Sequence, residues 1–218
     1  MSDVTNRSIP DTPDLAFVAE WLALQFMAPP EKARLHAMRG AQGQAALHWI
    51  GVVLDQQEAA ESICLELTLG TTDEITVTLQ RRYTALFEGV FRQRGAPPYA
   101  SVWDGTGRLF GPAVERMQHL LRDLDVRMAP DCTEPADHVA VQLAALAEAL
   151  RQNRVDTIQT LHSEMRDWTG RFTAALIATE GSSFYGNAAR FLSALVEQIA
   201  PDRFVAVDRD IAAAPARI

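Results

Sequence analysis

The chain has 218 residues, of which 48% are hydrophobic and 22% charged, enough for a well-packed domain and too apolar for wholesale disorder. Its formal net charge of -8 at pH 7 argues against a nucleic-acid partner, whose phosphates want a basic face. Two cysteines, Cys64 and Cys132, form no CxxC pair and no disulfide framework, which fits a reducing compartment.

The start, Met1–Thr5, is polar and lacks the basic and apolar regions of a signal peptide, so a cytoplasmic location is the expectation. Residues 1–12 read as a flexible N-terminal tail. A helix then begins near Pro13, with Leu15, Val18, Leu22 and Phe26 at spacings of three and four. Pro29-Pro30 stops it, and Pro30 suits the opening of a second helix that carries Leu35 and Met38 and runs out near Gly40. Leu47, Ile50 and Leu54 mark a third.

Residues 62–80 are ambiguous in pattern. Ile63, Leu65, Leu67 and Leu69 alternate as in a strand, and so do Ile75, Val77 and Leu79. Against a hairpin, Thr71-x-x-Glu74 matches a capping box. Ile75, Leu79, Tyr83, Leu86 and Val90 then continue at helical spacing. Two helices are the preferred reading. Glycines and prolines break all periodicity over 93–111, a long loop of the kind that often carries function.

A helix follows from Pro112 with Val114, Met117, Leu121 and Leu124. After a linker at 126–132, the next is expected to start at Thr133, with Pro135 in its first turn and Glu134 and Asp137 complementing its dipole. Its buried stripe is Val139, Leu143, Leu146, Ala147 and Leu150. Two strong helices close the chain, one through Ile158, Leu161, Met165, Trp168, Phe172 and Leu176, the other through Tyr185, Ala188, Leu192, Leu195 and Ile199. The expected architecture is all-α: a single helical domain of about eight to ten helices over 13–205. A subdomain junction is placed near 93–132 and a C-terminal tail at 206–218. No segment nears the roughly 18 to 20 apolar residues of a membrane helix.

Catalytic and metal motifs are scarce. The chain has no GxxxxGK[ST] loop, no GxGxxG after a strand and no HExxH. His36, His48, His119 and His162 are scattered, and each cysteine reads as a small buried hydrophobe. No cofactor, no metal and no enzymatic turnover are therefore expected. Two segments resist a bland account. Pro97-Pro98-Tyr99-Ala100-Ser101-Val102-Trp103 is either a loop pinned to the core by its aromatics or the wall of a peptide groove. Asp137-His138 either complements a helix start or receives an arginine-bearing peptide. A general all-helical interaction or small-ligand-binding protein is the competing class, with a helical hydrolase or metal enzyme behind it.

Taken in order, several segments resemble the TorD/DmsD/NarJ family of molybdoenzyme maturation chaperones. The resemblance starts with Trp21-Leu22-Ala23-Leu24-Gln25-Phe26-Met27-Ala28-Pro29-Pro30 and continues through Tyr83-x-x-Leu86-Phe87 and the Pro97–Trp103 loop. It is sharpest at Glu134-Pro135-Ala136-Asp137-His138, similar to the family's E-P-x-D-H signature. His162–Trp168 and Phe184-Tyr185 match its closing helices. The resemblance implies a TorD/DmsD-like fold and a chaperone that binds an apo-molybdoenzyme, often through its twin-arginine leader peptide, during cofactor insertion and before export. It implies Asp137 and His138 as leader-recognition residues, with Tyr99, Ser101 and Trp103 on the same face. A TMAO or DMSO reductase is the first expectation for the client. Monomer and domain-swapped dimer are both compatible with it.

Overall fold

The computed structural model describes residues 11–89, 95–104, 109–130 and 132–202. Ten helices occupy them, in the order α1 Thr12–Met27, α2 Lys32–Arg39, α3 Ala41–Leu54, α4 Gln57–Thr68, α5 Thr72–Phe87, α6 Ala100–Trp103, α7 Pro112–Asp123, α8 Val139–Arg151, α9 Val155–Glu180 and α10 Phe184–Gln198. Among the described residues the only β pairing is an isolated antiparallel bridge between Tyr99 and His138. The expected tails fall largely outside the described residues, although Asp11 already serves as the N-cap of α1.

The ambiguous stretch is helical because a local device overrides the alternation. The Thr71 hydroxyl accepts the Glu74 N–H while the Glu74 carboxylate accepts the Thr71 N–H at 2.8 Å. These reciprocal bonds satisfy two donors at the start of α5, and they hold the Glu74 carboxyl below its usual range. Leu65, Leu69 and Val77, three of the seven residues in the apparent strand pattern, face solvent. Ile63, Leu67, Ile75 and Leu79 are buried.

α1 and α8 form the broadest helix pairing, followed by α9 with α10. Both members of the first pair bury small side chains: Ala16, Ala19 and Ala23 in α1, and Ala140, Ala145, Ala147 and Ala149 in α8. Small side chains let helix axes approach closely. Close approach also fixes Gly51 in α3, where a Cβ would lie 2.7 Å from that of Ala60 in α4.

An aromatic group of Phe26, Tyr83, Phe87, Phe172 and Tyr185 joins α1, α5, α9 and α10. The Tyr83 hydroxyl lies 3.0 Å from the Phe26 carbonyl and 2.8 Å from that of Met27. It thereby satisfies orphan acceptors at the C-terminus of α1. Glu66 of α4 does the converse for α10, accepting the Phe184 N–H at 2.6 Å and an Arg82 N–H at 2.5 Å. The Tyr83 and Phe184-Tyr185 positions of the sequence motifs are thus joints of the framework.

One boundary differs from expectation. α8 begins at Val139, with His138 as its N-cap, rather than at Thr133. Residues Pro135–His138 form a turn closed by the His138 N–H on the Pro135 carbonyl at 3.0 Å. A proline disfavours helical geometry in the residue before it. The Asp137 carboxylate is moreover engaged outside α8, so it does not complement a first turn there.

Candidate functional site

The site is the junction of the 95–104 segment with the approach to α8. Two backbone bonds make the bridge: Val139 N–H to the Pro98 carbonyl at 2.8 Å, and Ala100 N–H to the Asp137 carbonyl at 3.1 Å. Side chains extend it. The Asp137 Oδ2 accepts the Ser101 N–H at 2.8 Å, one of the donors opening α6 that have no intrahelical partner. The Trp103 indole donates to the Pro97 carbonyl at 2.7 Å, closing the loop on itself, and its ring packs on Phe172. The Trp168 indole donates to Gln142, whose amide reaches the Asp137 carbonyl at 3.4 Å. α9 is thereby tied to the same point.

All five residues singled out in the sequence come together here, in two different environments. Asp137, Ser101 and His138 are 0%, 0% and 1% exposed; Tyr99 and Trp103 are half-buried. No donor among the described residues reaches Asp137 Oδ1. His138 Nδ1 accepts the Ala140 N–H at 3.0 Å, so the neutral ring carries its proton on Nε2. Burial pushes its pKa down to about 4. The Tyr99 ring stands edge-on to the His138 ring with centroids 5.1 Å apart.

Sequence reasoning treated Glu134 as structural, and the structure places it nearer solvent than Asp137. Its Oε2 accepts the Tyr99 hydroxyl at 2.8 Å. Burial and this acidic partner both raise the Tyr99 pKa, so the phenol remains the donor. Glu134 also borders an open groove of about 500 Å³ whose wall includes Met27, Leu121, Val126, Met128, Cys132 and Val141. The linker at 126–132 supplies part of that wall. Its apolar residues carry no periodicity, and their ordering against α1 and α8 is a tertiary effect invisible in the linear pattern. Cys132 is half-buried at the groove, whereas Cys64 is buried.

Among the described residues, no cluster of three or more His, Cys, Asp or Glu could hold a metal ion. No helix among them is long and apolar enough to cross a membrane. The arrangement is suited to binding: aromatic and apolar surface, with a carboxylate oriented by a neighbouring hydroxyl.

Residues 53–177 match the family model described as nitrate reductase delta subunit. The chain is 26% identical over 190 residues to a chaperone protein TorD from Shewanella sp. strain ANA-3, covering 84% of this chain and 90% of the relative. A chaperone protein TorD from Salmonella agona is 26% identical over 194 residues, covering 83% of this chain and 87% of the relative. The fold is similar to the crystal structure of a proposed redox enzyme maturation protein from Archaeoglobus fulgidus. That pair has a TM-score of 0.55 and 21% identity, over 84% of this chain and 93% of the other.

Proposed function

Since the chain belongs to the nitrate reductase delta subunit family, the TorD/DmsD/NarJ group of redox-enzyme maturation proteins, we propose that it is a chaperone for a molybdoenzyme, recognising the client's twin-arginine leader peptide and assisting cofactor insertion before export. The observation that carries this reading is the joint between two motifs far apart in sequence. The Pro97–Trp103 loop and the Glu134–His138 segment are bonded at Ser101–Asp137 and bridged at Tyr99–His138. Tyr99 and Glu134 stand at the edge of that joint, nearer solvent. A leader peptide combines arginines with an apolar stretch. Its receptor needs a carboxylate for charge-assisted bonds and apolar surface for burial. Net charge of -8 adds long-range attraction for a basic peptide, weaker at high salt.

The relatives are named chaperones, and the role proposed is binding without turnover. Calorimetric titration with a molybdoenzyme twin-arginine leader peptide, that of a TMAO or DMSO reductase being the first choice, tests it. The expected Kd is about micromolar or tighter, weakened about tenfold or more when both arginines become glutamine. Tyr99→Ala and Trp103→Ala should weaken binding while leaving helicity intact. A parent protein that gives no binding with any such leader would remove the reading.

A further inference from the structure

The groove beside Glu134 is lined by aliphatic side chains and three sulfur-bearing ones, Met27, Met128 and Cys132. Pockets for one small polar ligand place several polar groups convergently. Here the charged lining groups are one carboxylate, Glu134, and one guanidinium, Arg127. Unbranched methionines reshape to fit different neighbours, which suits an apolar segment of variable sequence better than a single rigid molecule. A volume of about 500 Å³ matches roughly five leucine-sized side chains at protein packing density.

The carboxylate adds polarity and direction. Glu134 Oε2 holds the Tyr99 hydroxyl at 2.8 Å, and no hydrogen bond from a described residue reaches Oε1. A guanidinium makes a stronger, two-pronged bond to a carboxylate than a neutral phenol does. The phenol can therefore yield to an arriving arginine, or share the carboxylate with it. A carboxylate followed by apolar wall is the complement of an arginine followed by apolar residues.

We propose that this groove seats the apolar stretch of the leader peptide, with an arginine of the leader bound to Glu134 at its edge. The assignment rests on the leader-binding reading above and adds where the peptide lies and which residue takes the arginine. Asp137, the more obvious acid, is 0% exposed and occupied by Ser101. It positions the loop that carries Tyr99.

Cys132 makes the location measurable. It is half-buried at the groove, whereas Cys64 is buried and burial raises its thiol pKa. The alkylation rate of each, read by mass spectrometry on the full chain, is compared with and without the leader peptide while calorimetry follows affinity. The inference expects the peptide to slow Cys132 alkylation about tenfold or more and to leave Cys64 unchanged. Ala144 lines the groove from the exposed side of α8, so Ala144→Trp fills it without entering the core. This variant should weaken binding about tenfold or more at unchanged helicity. Glu134→Gln should weaken the arginine-bearing leader and leave a leader with glutamines in their place unaffected.

If the leader binds but Cys132 reacts at its free rate and Ala144→Trp binds like the parent, the groove assignment is wrong while the chaperone reading stands. A leader whose apolar stretch is replaced by serines and still binds fully overturns the assignment as well. If no leader binds the parent, the reading itself falls and the groove with it. Cys132 that is shielded without peptide and released by deleting residues 203–218 would identify the chain's own C-terminus as the occupant, against the proposal.

Discussion

Acidification should strip stability from this protein through His138, by an amount its burial sets. The ring is 1% exposed, caps α8 through Nδ1 and has its pKa pushed down from 6.5 to about 4 by burial. The unfolded chain takes up the proton below about pH 6.5, whereas the folded chain refuses it until about pH 4. Stability therefore falls as pH drops through that window and is untouched by this group above it. Each pH unit costs about 1.4 kcal/mol, so the full window amounts to about 3 kcal/mol. That is a large part of the ~5–15 kcal/mol typical of a domain. Urea unfolding followed by circular dichroism at about pH 7.5 and about pH 4.5 measures it. His138→Asn supplies the reference, because asparagine caps a helix through its amide oxygen and does not titrate in this range. The variant should lose about 3 kcal/mol less than the parent across the window. His162, also pushed down by burial, is present in both proteins and cancels. Parallel losses in parent and variant would refute the reasoning.

Substitutions at two further positions test the joints. Glu66→Ala leaves the Phe184 N–H and the Arg82 guanidinium without their shared acceptor; it should cost about 2 kcal/mol in urea unfolding, and a cost near zero would mean that water replaces Glu66 freely. At Asp137, alanine removes the acceptor of the buried Ser101 N–H and should cost about 2 kcal/mol. Asparagine keeps an acceptor there and should cost about half as much or less; equal losses would show that the charge matters more than the hydrogen bond.

The helices were legible because their stripes repeat at the helical period and their punctuation is local. Pro29-Pro30, Gly40, the Thr71–Glu74 box and Pro112 all act within a few residues, so each boundary they mark lies close to where it was expected. α8 is the exception for a physical reason. Thr133, Pro135 and two acids read as a helix start, but Asp137 bonds to Ser101, 36 positions earlier. No local pattern records that competition. The groove was illegible for the same reason: Met27 and Cys132 lie more than 100 positions apart and meet only once α1 packs against α8.

The burial of Asp137 and His138 alters what their substitution can reveal. Alanine at Asp137 removes the Ser101 bond that holds the loop, and alanine at His138 removes the ring on which Tyr99 packs, so lost leader affinity would follow whether or not either side chain ever touches the peptide. Direct contact and positioning separate only when stability and affinity are measured on the same variants. Asp137→Asn retains the Ser101 bond while removing the charge; if affinity holds, Asp137 acts through the loop. Glu134→Gln removes charge at the solvent-facing end without touching the joint; if affinity for the arginine-bearing leader falls there, the charge that matters is at Glu134. The opposite pattern would require the loop to open and bring Asp137 to the peptide. Asp137 Oδ1, which no donor among the described residues reaches, is the atom such an opening would supply with a partner.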